Sequence, residues 1–136
     1  MVDRRRALGA AGEDQAARWY RAHGYRVVAR NWRCREGELD LVAVRGRVLV
    51  IVEVKARRTD RFGSPAEAVT PAKQLRLRRL ALHYLEATGT RPGSLRFDVV
   101  AILGGRLEVI EGAFLADLVS RGRPTARAAG RPAARR

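Results

Sequence analysis

Four charged side chains flank a short turn in a stretch that is otherwise apolar. Glu38 and Asp40 precede the dipeptide Gly46-Arg47, and Glu53 and Lys55 follow it. If this dipeptide is a two-residue loop, with glycine at the first central position of a type II′ turn, Asp40 lies opposite Glu53. The same register places Glu38 opposite Lys55. Because directly opposed side chains share a face about 5 Å apart, the sequence predicts that all four charges meet at the open end of a β-hairpin.

Such a cluster suits phosphodiester hydrolysis. Asp40 and Glu53 offer the carboxylate oxygens that a hard cation such as Mg²⁺, or Mn²⁺ in its place, prefers. A bound cation of this kind neutralises phosphate charge and activates a water molecule. Lys55 would orient or deprotonate that water and stabilise the transition state. The alternative is a buried ion pair of Lys55 with Glu53 or Glu38, which often contributes little net stability.

Lysine is scarce in this chain. Of the 28 basic residues, only Lys55 and Lys73 are lysines, and the other 26 are arginines. A lysine is a compact point charge whose pKa shifts readily, whereas an arginine stays protonated. The position of one of the two lysines within the predicted cluster therefore favours a chemical role for Lys55.

Composition limits the class of protein. The 136 residues are 46% hydrophobic and carry a net charge of +14, which predicts one domain with a sizeable core and a polyanionic partner, most simply nucleic acid. A merely solvated basic surface is the alternative.

No apolar run approaches the roughly 20 residues of a membrane span. The single cysteine, Cys34, excludes an internal disulfide, and we expect an incidental thiol in a cytoplasmic protein.

Hydrophobic periodicity and turn residues predict the elements that position the cluster. In the hairpin, both faces are apolar, as in a central strand pair covered on both sides. The chain as a whole predicts an α/β fold with a mixed sheet flanked by helices. The predicted segments are a helix over 7–23, a strand over 25–33, the hairpin, a helix from Thr70-Pro71 to 88, strands over 95–103 and 106–110, and a short helical turn within 113–119.

The first predicted helix carries one acid toward the sheet. Glu13 lies four residues before Ala17 and seven before Tyr20, so it shares their inward face. The alternative is an acid favoured by the dipole at the helix N-terminus. His23, in the last turn, is expected to serve the helix C-terminus rather than a metal.

The C-terminal segment differs from the rest of the chain. From Ser120 onward it holds six arginines, no acid and little apolar bulk, which predicts a disordered tail. We therefore expect a domain over 1–118 and a basic tail over 119–136. The tail would either add non-specific phosphate contacts or act as a passive solubilising segment.

Glu38-Leu39-Asp40 followed by Glu53-Val54-Lys55 resembles the PD-(D/E)XK motif of nucleases with the restriction-endonuclease-like fold. Leu39 departs from the motif by replacing its proline, which is not a ligand. The order of short motifs over roughly 8–115 is similar to the YraN-type family of bacterial proteins, related to archaeal Holliday junction resolvases. The matching pieces are Gly12-Glu13, Gly24-Tyr25, Arg30-Asn31, Gly37-Glu38, Asp40-Leu41, Val52 to Lys55, Arg57, Phe62-Gly63, Lys73-Gln74 and Arg96 to Val100.

The resemblance implies a restriction-endonuclease-like α/β fold and a metal-dependent nuclease acting on DNA, in branched or otherwise structured form, with a homodimer as a further expectation. Asp40, Glu53 and Lys55 would be catalytic, with Asp40, Glu53 and Glu13 as metal ligands and Glu38 in support. The residues expected to contact nucleic acid are Arg57, Arg58, Lys73 and Gln74. A non-catalytic nucleic-acid-binding module and an accessory protein that keeps the fold are the competing hypotheses.

Overall fold

A five-stranded mixed sheet with a helix on each face forms the described part of the protein. The structure, a computed structural model, describes residues 4–57 and 69–116. The strands lie in the order β1-β2-β3-β4-β5, and every neighbouring pair is antiparallel except the parallel pair β3–β4. This confirms the predicted α/β class and is consistent with a restriction-endonuclease-like fold. The elements are α1 (Arg4–Ala22), β1 (Arg26–Cys34), β2 (Gly37–Arg45), β3 (Val48–Arg57), α2 (Pro71–Thr88), β4 (Ser94–Leu103) and β5 (Arg106–Phe114).

The β2–β3 hairpin has the predicted turn. Arg45 lies opposite Val48, and the ladder continues with the same register to Leu41 and Val52. Gly46 has a φ of 61°, and Arg47 has a negative φ. A positive φ at the first central residue alone is the type II′ geometry, which glycine adopts without steric cost.

Both faces of the hairpin are buried, as its two apolar faces predict. The α2 side of the sheet packs Val42, Leu49 and Ile51 against the helix. The α1 side packs Leu41, Val50 and Val52. The charged end of the hairpin therefore lies at the border of two hydrophobic clusters, where a charge is only partly hydrated.

The helix ends follow from capping residues. Thr70 accepts the backbone N–H of Lys73 at 3.2 Å, with Pro71 at the first helical position of α2. Gly89, with a φ of 70°, ends this helix in the left-handed conformation. At the end of α1, Nδ1 of His23 lies 2.7 Å from the carbonyl oxygen of Trp19, so the role predicted for His23 is confirmed.

A small residue brings α1 close to β3. A Cβ atom at Gly12 would lie 3.0 Å from Cβ of Ala56 and 3.6 Å from a methyl group of Val54. A larger side chain there would push the helix away from the strand. Gly12 thus holds the next residue, Glu13, near the end of the hairpin.

The prediction of a helical turn within 113–119 is wrong for residues 113–116, the part of this segment that the structure describes. Ala113 and Phe114 continue β5 instead. Gly112 has a φ of 60°, and the β4–β5 register shifts opposite it, which places Phe114 beside Phe97 with ring centroids 4.8 Å apart. The stacking of Phe114 on the core holds the end of β5 in the strand conformation.

Several sequence predictions fall on segments outside the described residues. They are the basic loop after Arg57, including Arg58, and the tail from 119 onward. Within the described residues, no helix is long and apolar enough to cross a membrane.

A buried carboxylate joins α1 to β4 and β5. Asp98 Oδ2 accepts the hydroxyl of Tyr20 at 2.6 Å and Nη2 of Arg96 at 2.8 Å. Its Oδ1 accepts Nε of Arg96 at 2.8 Å and the backbone N–H of Gly112 at 3.0 Å. Every acceptor position of this buried charge is therefore occupied, which is the condition for tolerating it in a core.

Replacing Asp98 by asparagine is expected to destabilise the fold by about 3 kcal/mol, since Arg96 would lose its buried counter-charge. Tyr20→Phe removes one charge-assisted hydrogen bond and should cost about 1.5 kcal/mol. Chemical denaturation of the two variants beside the wild type measures both values. Equal and small effects would mean that the pairing adds nothing beyond packing.

Candidate active site

The backbone ladder of the hairpin stops where Asp40 begins. Leu39 packs in the α2-side cluster, whereas Leu41, two residues on, packs in the α1-side cluster. Regular strands put residues two apart on the same face, so the alternation is broken at Asp40. Its Oδ2 accepts the backbone N–H of Val54 at 2.8 Å. The β2–β3 ladder thus ends at the pair of Leu41 and Val52, one pair before Asp40 and Glu53. The side chain of Asp40 replaces the backbone acceptor of the Val54 N–H.

Burial and neighbouring acids disfavour the charged form of Asp40. Burial, and after it the charge of Glu53, raise the pKa of this carboxyl from 3.8 to about 7. The Val54 N–H lowers the pKa, while Glu13 and Glu38 add to the increase. An acid in such a position either holds a proton or takes a cation.

Glu53 is held by two ammonium groups at one oxygen. Its Oε2 lies 3.3 Å from Nζ of Lys55 and 3.0 Å from Nζ of Lys73. Only 11% of the Glu53 side chain is exposed, against 21% for Lys55 and 25% for Lys73. Lys55 follows Glu53 by two residues on β3 and so shares its face, whereas Lys73 comes from the first turn of α2. The only two lysines of the chain therefore meet at one carboxylate.

The two lysines differ in how they hold their protons. Burial lowers the pKa of Lys55, and the nearby Lys73 lowers it further. For Lys73, burial is the largest influence and acts to lower the pKa, but contacts with Lys55 and Glu53 outweigh it and the pKa is raised. The charged form is thus disfavoured at Lys55 and favoured at Lys73.

The two flanking acids are placed less closely. Glu13 lies within electrostatic reach of Asp40. Glu38 pairs with Arg33 across the β1–β2 ladder, with its Oε1 3.6 Å from Nε of Arg33. The predicted opposition of Glu38 and Lys55 is therefore not observed, because the β2–β3 ladder ends before it. Glu38 still contributes negative charge to the site.

The carboxylates of Asp40 and Glu53 are ligands of the kind that a hard divalent cation prefers. Asp40 and Glu53 supply carboxylate oxygens, and only Oδ2 of Asp40 accepts a hydrogen bond from the described residues. The raised pKa of Asp40 marks a negative charge that a cation would compensate. However, residues 4–57 and 69–116 contain no group of three or more His, Cys, Asp or Glu side chains placed to hold a metal ion. The proposed ligand trio of Glu13, Asp40 and Glu53 thus stays a prediction.

Of the residues expected to contact nucleic acid, Arg57, Lys73 and Gln74 lie within the described part of the chain, and each has a hydrogen bond or ion pair there. Lys73 pairs with Glu53, and Nε2 of Gln74 donates to the carbonyl oxygen of Val69 at 3.1 Å, which anchors the entry to α2. The carbonyl oxygen of Arg57 accepts the N–H of Gly104. The sequence analysis did not predict the contact of Lys73 with Glu53; the scarcity of lysine is the sequence signal that could have pointed to it.

Asp40 should make stability depend on pH. Its pKa is higher in the folded state, so the native protein binds an extra proton between pH 3.8 and about 7. The contribution of Asp40 to stability is therefore present at low pH and lost as the pH rises through this window, by up to about 1.4 kcal/mol per pH unit.

Asp40→Asn removes this titration and keeps an oxygen that can accept the Val54 N–H. In metal-free buffer, the unfolding free energy of the wild type minus that of the variant should fall from pH 4 to pH 7. A difference that does not change with pH would contradict the raised pKa.

Residues 12–102 match the family described as "Uncharacterised protein family UPF0102". A UPF0102 protein of Symbiobacterium thermophilum is 53% identical over 114 residues, which cover 80% of this chain and 97% of the relative. One from Rhodococcus jostii is 56% identical over 99 residues, 73% of this chain and 84% of the relative. One from Moorella thermoacetica is 46% identical over 120 residues, 84% of this chain and the whole relative. The chain belongs to the UPF0102 family, in agreement with the resemblance noted from its motifs.

Proposed function

We propose that the protein is a metal-dependent nuclease that hydrolyses DNA phosphodiester bonds, with branched or otherwise structured DNA as its substrate. The observation that carries this proposal is the meeting of Asp40, Glu53 and Lys55 where the β2–β3 ladder opens. One carboxyl has a raised pKa, one lysine has a lowered pKa, and Glu53 contacts that lysine. A purely structural ion pair needs neither the second acid nor the shifted lysine.

The residues divide the chemistry between them. Asp40 and Glu53 would hold Mg²⁺ or Mn²⁺, with Glu13 as the third ligand, and the cation would supply charge neutralisation at the phosphate and an acidified water. Lys55, fixed by Glu53, would accept a proton from the attacking water or stabilise the charge that develops on the phosphate. Asp40 is held in place by the Val54 N–H, so its second oxygen is presented in a fixed direction.

The basic surface would attract the substrate. The net charge of +14 favours a polyanion, and the outer side of α2 exposes Arg76 and Arg79 on the helix that carries Lys73. Arg57 and Arg58, at and after the end of β3, would extend this contact toward the site. A homodimer would supply the two active sites that cutting a branched molecule requires.

One observation favours a second candidate, a non-catalytic nucleic-acid-binding module. Oε2 of Glu53 is neutralised by both lysines, and the described residues form no three-acid metal group. A protein that binds DNA without cutting it, or an accessory protein whose main contact is another protein, is compatible with that arrangement.

Lys55→Arg is expected to lower cleavage at least about 100-fold while the fold is kept, because arginine keeps a positive charge but does not exchange its proton. Asp40→Asn should also abolish cleavage. The assay compares a four-way junction, single-stranded DNA and duplex DNA with Mg²⁺ or Mn²⁺, and thermal unfolding serves as the control for folding.

Three results separate the hypotheses. Full activity of Lys55→Arg would remove the special role of this lysine. No cleavage of any substrate by the wild type, together with salt-sensitive DNA binding, would identify the binding module. Capture of a specific protein after nuclease treatment, without either activity, would identify the accessory protein.

Deleting residues 120–136 removes six arginines and should weaken DNA binding without abolishing catalysis. For each arginine that no longer neutralises a phosphate, the slope of log K against log salt should fall by about 0.9 on duplex DNA. Fluorescence anisotropy from 50 to 200 mM salt measures the slope for the full chain and the deletion. An unchanged slope would make the tail a passive segment.

A further inference from the structure

The two lysines reach Glu53 from different elements. Lys55 lies on the same strand and is confined to the same face as Glu53. Lys73 lies on α2, and its ammonium group reaches across to the strand to the same oxygen, Oε2, at 3.0 Å. This contact is shorter than the 3.3 Å contact of Lys55, although a quarter of the Lys73 side chain is exposed.

A divalent cation and Lys73 would compete for Glu53. Both are attracted by the same carboxylate, and a cation shared between Glu53 and Asp40 would lie close to two ammonium groups. Repulsion between like charges at such short distances is strong when solvent is partly excluded. Lys73 has the freedom to leave, since its four-carbon stem extends from a helix end and its charge can move into water. Lys55 lies two residues from Glu53 on the same strand, so it stays beside the carboxylate.

We infer that Lys73 is an internal counter-cation of Glu53 that a divalent cation displaces, and that its released ammonium then binds a substrate phosphate. This inference rests on the proposed function and adds to it an order of events at the site. The metal-free state keeps Glu53 neutralised and Lys73 occupied. Cation binding frees Lys73, so cation and DNA bind with positive cooperativity.

Lys73→Met tests the competition, because methionine keeps most of the stem and removes the charge. Arg76→Met is the matched control: it removes one positive charge from the next turn of α2, where Arg76 is exposed and has no ion-pair partner among the described residues. Titration calorimetry with Mn²⁺, in the absence of DNA, should show about tenfold tighter binding for Lys73→Met than for the wild type, and a change of less than about twofold for Arg76→Met.

A second measurement uses the unmodified protein. Because the chain has only two lysines, labelling lysine with carbon-13 at Cε gives two signals, and Lys73→Arg identifies one of them. Adding Mg²⁺ should shift the Lys73 signal toward that of a solvent-exposed lysine. Ca²⁺ should also tighten the binding of a four-way junction. We expect a larger effect in the wild type than in Lys73→Met, as measured by fluorescence anisotropy.

Equal Mn²⁺ affinity of the wild type and Lys73→Met, equal gains in Lys73→Met and Arg76→Met, or a Lys73 signal that Mg²⁺ leaves unchanged would each overturn the inference. No Mn²⁺ binding by any variant would overturn both it and the metal dependence of the proposed function. Tighter Mn²⁺ binding by Lys73→Met in a protein that cleaves no DNA would support the displacement while rejecting the nuclease.

Discussion

The hydrogen bond from the Val54 N–H to the carboxylate of Asp40 is the constraint on which the site depends. In a regular hairpin that N–H would meet a backbone carbonyl of the neighbouring strand. Here the side chain takes its place, so the two strands stop pairing without leaving the donor unsatisfied. The same bond fixes the carboxylate at the opening of the hairpin, next to Glu53, where burial and like charge act on it together.

Two acids among the described residues, the buried Asp98 and the half-buried Asp40, differ in how their charges are compensated. Asp98 accepts four hydrogen bonds, two of them from the guanidinium of Arg96, so its charge is compensated. Asp40 has one backbone donor and is surrounded by further acids. The first arrangement stabilises the junction of α1 with the sheet. The second leaves the charged form of Asp40 disfavoured, which is the condition that the proposed cation would relieve.

Local sequence signals predicted most of the fold. Gly46 fixed the hairpin register, and Thr70, Pro71 and Gly89 marked the limits of α2, because turns and caps depend on the residues at those positions themselves. The break at Asp40 was not predictable in this way. It arises from the exchange of a ladder hydrogen bond for a side-chain hydrogen bond, which a period-two pattern does not encode.

Contacts between distant elements explain the other differences between the predicted and the observed structure. The Phe97–Phe114 stack holds β5 in a strand where the local sequence suggested a helical turn, and the approach of Lys73 to Glu53 depends on how α2 crosses the sheet.

The choice of lysine at both positions has a physical consequence. An arginine beside Glu53 would hold the carboxylate with a planar, bidentate fork and would stay charged at any relevant pH. Two ammonium groups instead lie close to one oxygen of Glu53, and neither holds the carboxylate with a planar fork. In a chain that uses arginine at 26 of 28 basic positions, Glu53 is thus paired with both of the two lysines. The proposed nuclease would need this weaker form of pairing to exchange protons and counter-ions, whereas the pair of Arg96 and Asp98 serves the fold.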